Sequence, residues 1–295
     1  MREGVGIAAA VTSTATAGMA GAVTRYIVGA IDPVALAAAR FGLGFLCLLP
    51  LALLLHCRWP RGRDWAAAAG LGAMMYVGFY VTYNSALAYT TAGRGTLCLS
   101  VMPLLTMVVA ALHGAERLSW RKTTGVLIAT AGVAVALVGG LPAAPAGAWR
   151  GDLLMVAAAL CMTLYNVWSR PFIGRSDPLG FVTASMGLGA AGLVAIAAAR
   201  GGFAAMGAFD GPQWTAILYL AVVGGAVSSW CWVFALRRTT PTRAAAAITV
   251  NPIAASLLAA WLLDEPIGLD LVIGVAAVAA GIYIASTDAR RRAVA

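Results

Sequence analysis

Apolar residues along this chain gather into ten runs, at roughly 6–29, 34–56, 65–89, 94–114, 119–139, 151–170, 178–199, 214–236, 243–263 and 267–286. A membrane-crossing helix needs about 20 mostly apolar residues. The pattern therefore predicts an all-α polytopic membrane protein with ten transmembrane helices. The polar positions agree: all eleven carboxylates (Glu3, Asp32, Asp64, Glu116, Asp152, Asp177, Asp210, Asp264, Glu265, Asp270, Asp288) fall between the runs or at their edges. Asp32-Pro33 and Asp177-Pro178 each offer an N-cap carboxylate followed by proline at the first helical position. Ser119 is placed to cap the fifth span. Two runs carry a proline about ten residues in, Pro103 of Ser100-Val101-Met102-Pro103 and Pro252 of Thr249-Val250-Asn251-Pro252. A proline there cannot donate to the helix ladder and frees the carbonyl four residues back, those of Leu99 and Ile248. In a membrane helix such a break is tolerated beside a cavity, so Pro103 and Pro252 are the expected hinge or gating positions.

The chain repeats itself. At an offset of 145, Gly6, Arg25, Asp32, Pro33, Gly42, Leu43 and Gly44 meet Gly151, Arg170, Asp177, Pro178, Gly187, Leu188 and Gly189. After a four-residue insertion before the eighth span the offset becomes 149. Trp65, Leu87, Thr90, Thr91, Arg94, Pro103, Glu116, Gly125 and Gly132 then meet Trp214, Leu236, Thr239, Thr240, Arg243, Pro252, Glu265, Gly274 and Gly281. Low complexity would match Ala and Gly, but not Trp, Glu, Asp-Pro and a mid-span Pro. The longest link, Gly139 to Arg150, marks the boundary between repeats 1–147 and 148–295. Each half holds five spans, an odd number, so the second is expected to be inverted, which is a transporter pattern.

Composition supports this reading. Of 295 residues 61% are hydrophobic and 11% charged, against about 25% charged in a soluble domain. The net charge of +9 comes from cations dispersed over short loops, which argues against a nucleic-acid partner. With the N-terminus inside, fifteen of the twenty Lys and Arg fall in cytoplasmic segments, leaving Arg25, Arg40, Arg94, Arg150 and Arg200 outside or near outer span ends. That bias predicts cytoplasmic termini, in a bacterial inner membrane. Cys47, Cys57, Cys98, Cys161 and Cys231 show no CxxC spacing and read as small buried hydrophobes, so neither a metal site nor a cofactor is expected. The first apolar run lacks a cationic leader region and reads as a span, not a cleavable signal.

Several of these features together resemble a known family. They are the two five-span halves, the Asp-Pro pairs, Tyr83-Asn84-Ser85-Ala86-Leu87-Ala88-Tyr89-Thr90, and the mid-span Pro103 and Pro252. The patterns Glu116-Arg117…Gly125…Gly132 and Glu265-Pro266…Gly274…Gly281 complete the set. The chain resembles, over its whole length, the EamA-type members of the drug/metabolite transporter superfamily. The resemblance implies a ten-helix exporter with a central cavity lined by spans 1, 3, 4, 6, 8 and 9. It also implies export of small metabolites, often amino acids, the aromatic amino acid exporters being the nearest subgroup.

The candidate substrate-binding residues follow from spacing and depth. Tyr76, Phe79, Tyr80 and Tyr83 share one helical face, with Asn84 next to it. Such a stripe is either core packing or a ligand wall. Its repeat mates favour the wall without removing the packing alternative: Tyr76 and Tyr80 correspond to Gly225 and Ser229, an asymmetry that would leave room for a ligand opposite the rings. Spans six and eight add Tyr165, Asn166, Trp168, Ser229 and Trp232 with Ser228 and Trp230, although Trp168, Trp230 and Trp232 also suit an interfacial belt. Ser100, Met102 and Asn251 flank the prolines, and the amides of Asn166 and Asn251 must find partners in hydrocarbon. Thr12, Ser13, Thr14 and Thr16 are expected to bond their own helix. Arg40 is expected to snorkel outward or meet an outer-loop carboxylate, with a substrate carboxylate as the less favoured partner. Gly187-Leu188-Gly189-Ala190-Ala191-Gly192 matches a dinucleotide fingerprint but sits inside an apolar span, where small residues serve close helix packing.

Absences narrow the function. There is no HExxH, GxSxG or Walker sequence, so no catalytic residue is proposed and an enzyme is not expected. No Asp or Glu lies mid-span, which disfavours cationic drugs and proton antiport. Buried Lys or Arg for a phosphorylated substrate is also taken to be missing. What fits is a neutral or zwitterionic metabolite, amino acids first, exported by a monomer in a lipid bilayer through alternating access. Its charged ends would meet Asn amides, hydroxyls and the backbone freed by the two prolines. A multidrug exporter of the same fold is the alternative, and a non-transporting scaffold or enzyme a third reading.

Overall fold

The computed structural model describes residues 2–112, 120–139, 145–238, 247–248 and 250–292. All regular structure among them is helical. The helices are α1 (Arg2–Ile27), α2 (Pro33–Leu54), α3 (Asp64–Leu87), α4 (residues 92–112), α5 (Trp120–Gly139), α6 (Ala148–Arg175), α7 (Pro178–Ala199), α8 (Gly211–Arg238), α9 (Val250–Leu263) and α10 (Leu269–Arg292). They coincide with the ten apolar runs. Among the described residues six, α1, α2, α3, α6, α7 and α8, are long and apolar enough by themselves to cross a membrane. The expected caps at Ser119 and much of the 139–150 link lie outside the described residues, as do Glu116, Thr239, Thr240 and Arg243.

Repeat mates pack on each other. The α2–α7 and α5–α10 pairs each join a helix to its own mate, and α1 on α8 and α9 is mirrored by α6 on α3 and α4. Both mate pairs run antiparallel. Asp32 at the head of α2 meets Arg200 just past α7 (3.4 Å), whereas Asp177 at the head of α7 meets Arg58 beyond α2 (3.5 Å). In α5–α10 the repeated glycines form the seam: a Cβ on Gly132 would strike Ala277, one on Gly274 Ala136, and one on Gly281 the Gly125 carbonyl. The glycines of 187–192 do the same work in α7, Gly187 against Phe45 and Gly189 against Gly72 and Tyr76. Small residues let backbones approach where lipid offers no hydrophobic drive.

The ion pairs among the described residues sort by helix end. Arg25–Glu265 (3.6 Å), Arg94–Asp152 (2.7 Å) and Asp32–Arg200 lie at one end of the bundle. Asp64–Arg175 (2.8 Å) and Asp177 with Arg58 and Arg237 (3.4 Å) lie at the other. That sorting requires successive helices to cross in alternating directions. The two Asp-Pro heads differ in detail. Asp32 caps α2 as expected, accepting from the amides of Val34 and Ala35 (3.0 and 3.1 Å). Asp177 occupies the N-cap position but its carboxylate accepts from the Arg58 amide instead (2.8 Å). That bond, with the neighbouring arginines, holds its carboxyl below the usual range.

Irregular backbone is concentrated at matching places. α3 passes from α to π geometry over Ala73–Phe79 and back, and α8 does so over Leu220–Val227. In α4 a 3₁₀ turn, Leu99–Val101, leads into the segment that begins Met102-Pro103. Pro252 stands in the first turn of the described part of α9 rather than mid-helix. The carbonyls freed by the two prolines are not open: Leu99 O accepts from the Met102 amide and Ile248 O from the Asn251 amide (3.0 Å). The tightened turn brings the i+3 amide to the carbonyl that proline cannot reach. Met102 and Asn251 are repeat mates, so the substitution of one bond for another is itself repeated.

Candidate functional site

The π segment of α3 and the turn of α8 that follows its π segment border a cavity of about 70 Å³, lined by residues of α1, α2, α3, α4, α6, α7, α8 and α9 and by Ile248. The expected wall is present. Tyr76, Phe79, Tyr80 and Tyr83 all face it and all are buried. Their rings pack edge to face and offset: Phe79–Tyr80 at 4.6 Å and 87°, Phe79–Tyr83 at 5.6 Å, Tyr76–Tyr80 at 6.4 Å. Phe41 of α2 backs them, 4.2 Å from Tyr80 and 4.9 Å from Tyr76. Tyr165, Met102, Ser229, Trp232 and Asn251 also line the space.

Four other candidates lie elsewhere. Asn84 is buried and donates to the Pro33 carbonyl (3.0 Å), tying α3 to the head of α2. Asn166 stands behind the wall, accepting from the Trp232 indole (3.1 Å) and donating to the Met102 sulfur (3.8 Å). It therefore positions two lining side chains without touching the space. Ser100 is buried away from the cavity and Trp168 is 41% exposed on α6. Of the expected hinges, Pro252 lies one residue beyond the lining Asn251, and Pro103 lies one residue beyond Met102.

Two features depart from expectation. Thr14 and Thr16 bond their own helix, as anticipated (Thr14 to the Ala10 carbonyl at 3.0 Å, Thr16 to that of Thr12 at 2.8 Å). Ser13 instead reaches across: its hydroxyl donates to the Ser228 carbonyl (2.8 Å) and the Ser228 hydroxyl donates to the Ser13 carbonyl (3.0 Å). This reciprocal clasp joins α1 to α8 where the π segment ends. Arg40 does not snorkel. It is 2% exposed, lines the cavity, and donates to the Gly224 carbonyl at 2.6 Å. Its guanidinium carbon lies 4.7 Å from the Tyr80 ring and 5.1 Å from that of Phe41. A Cβ on Gly224 would come within 3.0 Å of Arg40 Nη2 and 2.8 Å of Ala20, so only glycine admits this approach. The earlier exclusion of a buried cation therefore fails at this one residue. The signal was legible, since an ionisable group well inside a span is functional by default.

Comparison with known proteins bears on what such a cavity does. The profile of the EamA-like transporter family matches residues 4–138 and 149–287. A "Probable terminal-alkyne amino-acid exporter" of Streptantibioticus cattleyicolor is 27% identical over 81% of this chain and 79% of its own. An uncharacterized protein of Pseudomonas aeruginosa is 32% identical over 86% of this chain and 84% of its own. An uncharacterized Bacillus subtilis transporter is 23% identical over 89% and 87%. A crystal structure 22% identical superposes with a TM-score of 0.70, covering 98% of both chains, which shows a shared fold.

Proposed function

The chain belongs to the EamA-like transporter family, and from that premise we propose that it exports small neutral or zwitterionic metabolites, aromatic and hydrophobic amino acids first among them. It is a multi-pass membrane transporter and not an enzyme. The observation that carries the substrate reading is the cavity itself. Tyr76, Phe79, Tyr80 and Trp232 give it apolar faces with polar tips, and Ser229 and Asn251 give it small hydrogen-bonding groups. An aromatic amino acid needs both kinds of partner. The amino-acid exporter from Streptantibioticus supports the same class.

The 70 Å³ of free space holds only a few waters, so a substrate with an aromatic ring enters only when the rings and helices part. Alternating access between repeats 1–147 and 148–295 supplies that movement, with α4 and α9 flexing at Pro103 and Pro252. The antiparallel α2–α7 and α5–α10 pairs support an inverted arrangement, and the positive-inside count puts both termini in the cytoplasm of a bacterial cell. The working unit is a monomer. A multidrug exporter on this fold would admit cations, which a cavity holding Arg40 and lined by no carboxylate disfavours. Uptake into proteoliposomes with a panel of radiolabelled amino acids tests the proposal. Flux of at least one aromatic or branched neutral amino acid is expected, and no flux for any neutral amino acid overturns it.

A further inference from the structure

We propose that Arg40 anchors a single anionic group of the transported molecule, a carboxylate first, so that the cavity selects substrates with a negative end and rejects cations. The inference rests on the cavity being the transport site. A guanidinium carries five N–H donors in a planar fork and cannot be deprotonated in a protein. Here one donor goes to the Gly224 carbonyl, the rings of Tyr80 and Phe41 lie beside it, and Nε is buried with no acceptor. Among the described residues no carboxylate pairs with Arg40, and none lines the cavity.

A buried charge is costly to leave unpaired. Ring faces offset only part of that cost, so the site is electrostatically incomplete without an anion. The fork fits a planar carboxylate with two parallel hydrogen bonds. Across the cavity stand only neutral oxygens, those of Ser13, Ser229 and Asn251 among them. They can accept from an ammonium or hydroxyl but supply no counter-charge. A singly charged acid matches one cation, whereas a doubly charged phosphate ester would leave one charge unmatched. Arg40 also touches the α8 π segment, so ligand charge and backbone irregularity meet at one point.

The test is calorimetric titration of the purified full chain in nanodiscs with four probes that share a phenyl ring: 3-phenylpropanoate, 3-phenylpropanamide, phenethylamine and phenylalanine. The acid is expected to bind at least tenfold more tightly than its amide, with phenethylamine weakest. Arg40→Gln should bring acid and amide to the same affinity, and Arg40→Lys, which keeps the charge but not the fork, should keep an acid preference smaller than that of the unsubstituted chain. Equal binding of acid and amide by the unsubstituted chain, or an equal loss of both in Arg40→Gln, overturns the anchor and leaves Arg40 a structural clamp. Should Arg40→Gln fail to fold, the unsubstituted comparison and Arg40→Lys still decide. Arg40-dependent binding of 3-phenylpropanoate without binding of any amino acid sinks the amino-acid proposal and keeps the anchor. Phenylalanine flux indifferent to Arg40 does the reverse.

Discussion

Helices α3 and α8 are repeat mates with the same backbone irregularity and opposite side chains. Both turn π-helical at matching positions, Ala73–Phe79 and Leu220–Val227. Where α3 presents Tyr76 and Tyr80, α8 presents Gly225 and Ser229. A π turn widens the helix and is frequent at functional sites, so duplication preserved the geometry that opens a space. The two copies then diverged in what fills it. Bulk on one side and its absence on the other leave a cavity, and the carbonyl of Gly224 on the small side receives Arg40. Symmetry supplies the frame here, and asymmetry supplies the chemistry.

Making the two mates alike should destroy the site from either direction. Tyr80→Ser, which gives α3 the residue of α8, removes a buried ring packed on Phe41, Phe79 and Arg40. Emptying an aromatic site costs roughly 3 kcal/mol, so we expect a clear fall in thermal midpoint and at least a tenfold loss of amino acid flux, read by scanning fluorimetry and proteoliposome uptake. The reverse change, Gly225→Tyr, places a side chain where even a Cβ would lie 3.3 Å from the Arg40 carbonyl and 3.2 Å from that of Leu220. Overpacking of this kind costs about 1–3 kcal/mol, and ligand binding should vanish even in the fraction that stays folded. Unchanged affinity in either variant would show that the difference between the helices has no bearing on the cavity.

Smaller effects probe the joints around that contrast. Ser13 and Ser228 clasp α1 to α8, and interhelical bonds of this type average about 0.6 kcal/mol in membranes. A double-mutant cycle with alanine at both positions should return a coupling near that size, and additive single effects would show the clasp to be incidental. The smallest expected change concerns Asp177, whose carboxyl lies below the usual range while it accepts from the Arg58 amide. A lowered value means its stabilising contribution is complete above the ordinary carboxylate pKa of about 3.9 and is lost as pH falls through the lowered one. Melting temperature measured from pH 6 down to pH 3 should therefore drop further in the unsubstituted chain than in Asp177→Asn.

Much of this architecture was readable in the residues. The apolar runs located the helices, and the repeated Gly125, Gly132, Gly274 and Gly281 proved to be the α5–α10 seam. The stripe Tyr76, Phe79, Tyr80, Tyr83 was legible because spacings of three, four and seven hold one face whatever the neighbours are. Asn84 and Trp168 were misplaced for the complementary reason. A helix that is apolar all round does not say which face meets the cavity, and Asn84 turned to α2 while Trp168 turned outward. The depth of Arg40 inside a span was legible but its direction was not, because its inner partner is a backbone carbonyl on α8, 184 residues away, and a carbonyl leaves no mark in a sequence. The π segments likewise have no composition of their own.

The paired turns at Met102 and Asn251 have a mechanical meaning. An ordinary helix resists bending because every turn is cross-braced by bonds from residue i to residue i−4. At Leu99 and Ile248 that brace was never installed, and a single shorter one stands in its place. The missing brace is covalent in origin: it follows from the proline ring and not from any contact that lipid, pH or ligand could remove. Two such turns, one in each repeat and each beside a lining residue, are where the proposed alternating access would reshape the cavity, while close-packed glycines tie α5 to α10.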